Sequence, residues 1–235
     1  LAADACEKLL ALIKGKNADC IVCGLKQTSG NIWAPAFDKD YSDLASFKCD
    51  FIYWINTELL SSSVNKIYKR GLITELYPEN MSFGEDLVFV LNYLKHCNRI
   101  SFTQEPLYQH EVYNSVSLTH SFSPARFSNL EDIQKAILDF ADDKNKINPR
   151  IYDKYVKDAL HLTRMWYKNK NVPYIRKKEI IGEWLKQSYI RKLKISDYQL
   201  HWKDRMLLHS LHMSCFIGIN WIVNGKEYIN SLSKE

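Results

Sequence analysis

The chain of 235 residues is 46% hydrophobic and 25% charged, and it carries a formal net charge of +5 at pH 7. These values are ordinary for a globular protein of one or two domains, and they exclude a fibrous or intrinsically disordered chain. Because the chain opens on Leu1 without a basic region followed by an apolar one, we expect a fragment or a processed chain and no secretory signal peptide.

The first 60 residues alternate between helical and extended patterns. Asp4 followed by Glu7 three residues later is a capping-box arrangement, and it predicts a helix that runs to Lys14. The apolar run at 18–24 predicts a buried strand, and a helix followed by such a strand is typical of an α/β fold. Beyond this run, the patterns predict a turn at 29–31, a short strand near 32–33, a polar loop at 39–43 and a helix at 44–60.

Six cysteines are scattered along the chain, and only Cys20 and Cys23 have the spacing of a motif. They lie inside the apolar run at 18–24, where buried reduced cysteines are the favoured interpretation and a metal or redox pair is the alternative. A zinc site would need a second pair of ligands at short spacing, and the sequence contains none. This cysteine usage indicates a reducing, cytoplasmic location.

Two adjacent carboxylates, Glu85 and Asp86, stand where a helix is predicted to begin. Gly84 allows the chain to turn into that helix, and acidic residues in its first turn are favoured by the helix dipole. The apolar residues that follow at helical spacing are Leu87, Val90, Leu91 and Leu94. The carboxylates either cap a buried helix or face a cleft as catalytic groups, and the local pattern by itself favours the cap.

The two halves of the chain differ in their predicted secondary structure. The rest of the first half contains a strand or short helix at 64–71, a strand at 99–103, an extended segment at 106–108 and a polar loop from 114. The second half contains amphipathic helices at 127–142, 151–167, 173–190 and 202–223. We therefore predict an α/β region at 1–122 and an all-helical C-terminal region at 123–235.

The basic residues concentrate in the helical half. Residues 1–120 have a net charge of −3 and residues 121–235 a net charge of +8, while 164–205 alone contains 12 basic and 4 acidic residues. Seven Trp and Tyr residues are interleaved with these charges. The segment is either a set of solvated helix faces above an aromatic core or a surface that docks on an anionic membrane. We expect no nucleic-acid partner, because no recognised binding motif accompanies the charge.

Residues 206–225 contain no Asp, Glu, Lys or Arg. Their His, Ser and Asn side chains make a poor membrane-spanning helix, so we interpret this segment as a helical hairpin or an interfacial helix. His209, His212 and Cys215 recur there every three residues, and we interpret them as ordinary side chains rather than as a metal site.

Three segments resemble, in their order and spacing, the bacterial family 2 glycosyltransferases, which have the GT-A fold. No single segment is specific by itself. The three segments are Asn65-Lys-Ile-Tyr-Lys-Arg70, then Met81-Ser-Phe-Gly-Glu-Asp86 after a Pro-Glu turn, and finally Pro106-Leu-Tyr108 with Asn114-Ser-Val-Ser117. The opening at 1–9 looks like the segment that follows the Asp-x-Asp motif of the family.

The resemblance implies the acceptor-side part of a Rossmann-like GT-A domain, followed by a helical region. It makes Asp86 the catalytic base and Glu85 a group that positions the acceptor or supports Asp86. Substrate contacts are implied for Asn65, Lys66, His110, Asn114 and Ser115. A solvated turn is the alternative at 65–66. A plain surface histidine is the favoured alternative at His110, because Gln109-His-Glu111 departs from the aromatic-Tyr-Arg of the family.

The metal of such an enzyme is expected outside this chain. In the family, an Asp-x-Asp motif holds a divalent cation, Mn²⁺ or Mg²⁺, on the diphosphate of the nucleotide sugar. That motif would lie immediately before Leu1, so the resemblance implies no metal ligand within 1–235. We expect the chain alone to bind a nucleotide sugar poorly and to be inactive.

The function implied by the resemblance is inverting transfer from a nucleotide-sugar donor to a glycan or lipid-linked acceptor. Such enzymes take part in bacterial surface polysaccharide biosynthesis, including capsule and lipopolysaccharide, in the cytoplasm and peripherally on the inner face of the membrane. The alternative is a non-catalytic, basic helical module that binds a membrane surface or a protein partner.

Overall fold

The computed structural model describes residues 4–110 and 123–225, which divide into two compact units. Within the described residues, the first unit comprises 4–110 and 135–151, and the second comprises 123–134 and 152–225. The first unit is mixed α/β and the second is helical, so the predicted fold class is confirmed. The functional division at 122/123 stays a prediction.

The strands of the first unit are short and lie in two sheets. They are β1 Cys20–Val22, β2 Leu25–Gln27, β3 Ile32–Trp33, β4 Lys39–Tyr41, β5 Lys66–Tyr68, β6 Ile100–Phe102 and β7 Tyr108–His110. The four-stranded sheet has the order β4-β6-β1-β5, with β1 parallel to β6 and the outer pairs antiparallel. The three-stranded sheet has the order β3-β2-β7, with β2 parallel to β7. The buried strand predicted at 18–24 is therefore a central strand, β1.

The helices follow the predicted positions closely. Those that begin before residue 125 are α1 Ala5–Gly15, α2 Leu44–Cys49, α3 Phe51–Asn56 and α4 Glu85–Leu94. The later ones are α5 Ala125–Phe140, α6 Asp143–Lys146, α7 Asp153–Lys168, α8 Tyr174–Gln187, α9 Trp202–His212 and α10 Phe216–Asn224. The single helix predicted at 202–223 is wrong, because α9 ends at His212 and α10 begins at Phe216. Of the two interpretations of 206–225, the structure agrees with the helical hairpin.

Three local predictions were wrong for identifiable physical reasons. The capping box is absent, since the Asp4 side chain caps no backbone N–H and its carboxylate instead lies 3.1 Å from the Lys8 ammonium. The polar loop at 39–43 contains β4, which is polar because it is an edge strand paired only with β6. The helix predicted at 44–60 breaks at Asp50 and ends at Asn56.

The core of the first unit is aromatic beside the four-stranded sheet. Trp54 stacks on Phe102 with ring centroids 3.7 Å apart, and Phe47 and Phe51 pack edge to face beside them. On α4, the four apolar residues predicted from their helical spacing are all buried. Burial of large apolar side chains contributes strongly to stability, so α4 is anchored in the unit through its buried face.

The second unit is organised around a half-buried carboxylate. Glu131 on α5 accepts hydrogen bonds from the Tyr155 hydroxyl at 2.5 Å, the Trp184 indole N–H at 2.6 Å and the Tyr189 backbone N–H at 3.2 Å. Burial raises the pKa of Glu131, and the three donors oppose that shift. One side chain therefore ties α5 to α7, α8 and the segment after α8.

The aromatic residues within the basic segment 164–205 belong mostly to the core of the second unit. Four of the seven are buried, namely Trp166, Tyr167, Trp184 and Tyr198, whereas Tyr174 and Trp202 are exposed. The interpretation of this segment as solvated helix faces above an aromatic core is therefore correct for these four residues. Across the described residues, the helices are too short or too polar to cross a membrane.

The cysteines form no disulfide. Cys20 and Cys23 are buried free thiols in and just after β1, as predicted, while Cys6, Cys49 and Cys215 are free and exposed. Burial raises the pKa of Cys20 to about 12, so this thiol stays protonated and unreactive at neutral pH.

Candidate functional site

Asp86 is the second residue of α4, and Gly84 immediately before the helix has a positive φ of 77°. That conformation strongly favours glycine, and it directs the first turn so that Glu85 and Asp86 are both half-buried. The Asp86 Oδ1 atom accepts a hydrogen bond of 2.6 Å from the Ser63 hydroxyl. The carboxylate is therefore oriented by a neighbouring loop and is still partly open to solvent.

Ser63 is also held in place through its backbone carbonyl. Its carbonyl accepts a hydrogen bond of 2.8 Å from the Tyr68 hydroxyl. The Tyr68 ring packs edge to face against Phe89 of α4 and against Tyr93, with centroids 5.6 and 4.8 Å apart. Burial raises the pKa of Tyr68, so the hydroxyl remains a donor. The serine that orients Asp86 is thus anchored to the strand next to α4.

Lys66 ties the preceding turn to β5. Its ammonium donates hydrogen bonds of 2.7 Å to the Leu59 carbonyl and 2.7 Å to the Asn65 side-chain oxygen, and it also donates to the Ser62 carbonyl. An ammonium has three donors, and these contacts use all three. Because Ser62 immediately precedes Ser63, Lys66 holds the turn that presents Ser63 to Asp86.

Asn65 is fully buried and has no free donor either. Its side-chain NH₂ donates to the Cys23 carbonyl at 2.8 Å and to the Leu59 carbonyl at 3.3 Å, while its side-chain oxygen accepts from Lys66. The alternative of a solvated turn at 65–66 is therefore wrong. In this structure both side chains are occupied in joining β1, β5 and the turn at 59–62, and their role as substrate contacts stays a prediction.

The electrostatics of this network depend on Lys66. Burial lowers its pKa to about 8 from an ordinary value of 10.5, while the nearby Cys20, Cys23 and Asp86 oppose that shift. The positive charge of the Lys66 ammonium is thus buried close to the half-buried Asp86 carboxylate.

The lowered pKa of Lys66 predicts a specific pH dependence of stability. Between about pH 8 and pH 10.5 the unfolded chain binds more protons than the folded chain, so the contribution of Lys66 to stability rises with pH. We expect the stability of the unmodified protein relative to Lys66→Met to increase by about 1 kcal/mol from pH 7 to pH 9. Urea unfolding of both proteins at each pH measures this difference, because the other titrating groups are common to both. A difference that stays constant or falls would contradict the assignment.

The remaining predicted site residues lie in another sheet or outside the described residues. His110 is exposed at the end of β7 in the three-stranded sheet, where its carbonyl accepts the Thr28 N–H at 3.1 Å. No hydrogen bond or ion pair among the described residues joins the His110 ring to the carboxylates of α4. Asn114 and Ser115 lie outside the described residues. Sequence reasoning missed Ser63, because nothing distinguishes it from Ser61 and Ser62 beside it.

The described residues do not supply a metal site. Within 4–110 and 123–225, no three His, Cys, Asp or Glu side chains are grouped so that they could hold a metal ion. In the hairpin segment, the His212 Nδ1 atom shares a hydrogen bond of 3.2 Å with the Ile190 carbonyl, and Cys215 is an exposed free thiol.

Comparison with solved structures identifies the fold. S. aureus TarS 1-349 in complex with UDP-GlcNAc is 17% identical with a TM-score of 0.62, and the match covers 96% of this chain and 64% of that one. S. aureus TarS 1-349 without the ligand is 15% identical with a TM-score of 0.60, and the match covers 96% and 63%. The chain therefore has a glycosyltransferase-like fold and spans less than two thirds of these structures. No protein-family model and no curated protein matches the chain.

Proposed function

We propose that this chain is the acceptor-side part of an inverting glycosyltransferase of family 2 that uses a nucleotide-sugar donor. The observation that carries the proposal is the oriented Asp86 carboxylate at the start of α4, within a fold like that of TarS. The complex of TarS with UDP-GlcNAc supports a nucleotide sugar as the donor. The order of the three sequence segments that resemble family 2 supports the family.

The geometry of Asp86 suits a general base. Ser63 holds Oδ1, and no hydrogen bond within the described residues engages Oδ2, so Oδ2 is available to an acceptor hydroxyl. As the acceptor oxygen forms its bond to the anomeric carbon, Asp86 takes the hydroxyl proton and the bond to the leaving diphosphate breaks. In this proposal Glu85, which is adjacent and half-buried, orients the acceptor or supports Asp86.

A divalent metal belongs to the complete enzyme in this proposal. When bound, it would neutralise the negative charge that develops on the leaving diphosphate. Within the described residues no three His, Cys, Asp or Glu side chains are grouped to hold a metal, and no step assigned to Asp86 or Glu85 depends on one. The proposed acceptor is a glycan or a lipid-linked molecule. The proposed role is bacterial surface polysaccharide biosynthesis in the cytoplasm.

The experiment is a donor screen with the full-length gene product that contains this sequence. UDP release is measured for a panel of nucleotide sugars that begins with UDP-GlcNAc, with Mn²⁺ or Mg²⁺ present and then with a chelator added. We expect one donor to be turned over in a metal-dependent reaction, and the product to have the opposite anomeric configuration by NMR. Absence of binding and turnover for every donor in the panel would overturn the proposal.

A further inference from the structure

The α9–α10 hairpin exposes an unusual apolar surface. On α9, Trp202, Met206 and His209 are exposed at i, i+4 and i+7, and Met213 follows them at i+11. This spacing places the four side chains on one helix face. Trp202 is 57% exposed and Met213 is 67% exposed. The opposite face is buried through Leu207, Leu208 and Leu211. The exposed apolar side chains of α9 therefore share one face with His209, and the exposed Lys203 and Arg205 lie beside that face.

The second helix of the hairpin, α10, also exposes apolar side chains. Ile217 and Trp221 lie one turn apart on α10 and are 65% and 46% exposed. A surface helix of a globular protein normally carries charged residues on its outer face. Residues 206–225 contain no Asp, Glu, Lys or Arg, so the outer face of α10 has none. Exposed apolar side chains grouped in this way mark an interaction surface.

Basic residues surround this surface. The Lys203 ammonium lies 5.4 Å from the Trp202 ring centroid, and the Lys178 ammonium lies 5.6 Å from the Phe216 ring centroid. The Arg191 guanidinium donates to the Ser214 hydroxyl at 3.2 Å, at the turn of the hairpin. All three residues are exposed, and among the described residues no carboxylate forms an ion pair with them. The cations at the hairpin are therefore available to an external anion.

We infer that the α9–α10 hairpin lies in the plane of an anionic membrane surface. Trp202, Met213, Ile217 and Trp221 enter the boundary between headgroups and acyl chains, and the three cations bind lipid phosphates. An interfacial helix needs an apolar face, Trp near the headgroups and flanking basic residues, and this hairpin has all three. With 11 and 9 residues, α9 and α10 are too short to span a bilayer of about 20 helical residues.

A membrane fits the surface better than a second copy of the chain does. In a symmetric dimer the same patch faces itself, so the three cations would meet the three cations of the partner. The one carboxylate of the hairpin, Asp204, is already paired with Arg164, and like charges brought together across an interface oppose association. An anionic leaflet supplies the opposite charge and the apolar phase together. This inference does not depend on the proposed transferase activity, because it concerns binding alone.

The test measures binding of the protein to vesicles by flotation and by quenching of tryptophan fluorescence with brominated lipids. Vesicles of phosphatidylcholine with phosphatidylglycerol are compared with vesicles of phosphatidylcholine alone. We expect binding to the anionic vesicles only, quenching that decreases in Trp221→Phe, and weaker binding at high salt. The pair Arg191→Gln and Lys203→Gln should together weaken binding more than tenfold, since each basic residue near such a surface contributes about 1 kcal/mol.

The pair Ile217→Ser and Trp221→Ser tests the apolar face. These side chains are exposed, so circular dichroism should show an unchanged fold, while vesicle binding should fall at least tenfold. Matched controls in the first unit are Ile147→Ser and Lys26→Gln, which are exposed changes of the same kind and should leave binding unchanged. Binding that is absent, or equal in the hairpin and control variants, overturns the inference. Self-association that disappears in Ile217→Ser would assign the surface to a second copy instead.

Discussion

Replacing Asp86 with Asn should lower the rate of sugar transfer about 10³-fold, because a general base contributes roughly 10²- to 10⁴-fold. The amide has the shape of the carboxylate and can still accept from Ser63 through its oxygen, but it cannot take the proton of the acceptor hydroxyl. We expect kcat to fall and the KM for the donor to change little. The measurement is steady-state kinetics of the full-length gene product with the donor identified in the screen.

Two neighbouring variants are the controls for Asp86→Asn. Glu85→Gln makes the same change of charge one residue away, and we expect a smaller effect that appears mainly in the KM for the acceptor. Ser63→Ala removes the hydrogen bond to Oδ1 while keeping the base, so about a tenfold loss is expected. Full activity in Asp86→Asn would remove the assignment of Asp86 as the base.

A different result would favour the non-catalytic alternative. If the full-length protein turned over no donor while the hairpin bound anionic vesicles, the chain would be better described as a non-catalytic membrane-binding module.

Replacing Asn65 with Ala should lower the free energy of unfolding by about 3 kcal/mol. The variant leaves the buried Cys23 and Leu59 carbonyls each without the donor from residue 65, and it removes one acceptor of the buried Lys66 ammonium. An unsatisfied buried polar group costs roughly 1–3 kcal/mol, and more when a charged group is involved. Urea unfolding followed by circular dichroism measures the change.

The control for Asn65→Ala is the same substitution at a half-buried position of the same unit. The Asn56 side chain donates one hydrogen bond of 3.2 Å to the Arg150 carbonyl and is open to water, so Asn56→Ala should cost less than about 1 kcal/mol. Equal free energies of unfolding for the two variants would show that the buried hydrogen bonds of Asn65 contribute no more to stability than the hydrogen bond of Asn56. An Asn65→Ala protein of normal stability with a raised KM would instead support the predicted substrate contact.

The local pattern of residues was sufficient to predict α4 and the position of its two carboxylates in the first turn. Gly84, two acidic residues and an apolar repeat at helical spacing are local features, and local backbone and burial preferences decide where such a helix begins. The same reasoning located β1 and the second-unit helices to within a few residues. It failed at β4, because Lys39–Tyr41 is extended only through its pairing with β6, which lies 60 residues further along the chain.

The direction of polar side chains was decided by tertiary structure alone. A sequence shows that Asn65 and Lys66 are polar, but it does not show that a turn at 59–62 folds over them and uses every donor. Likewise, only the packing of the second unit buried four aromatic residues of the basic segment and left the apolar face of the α9–α10 hairpin exposed. The sequence by itself determined most of the helical segments and which carboxylates begin α4. The tertiary structure selected Ser63 to orient Asp86, because contacts between residues far apart in the chain depend on how the elements pack.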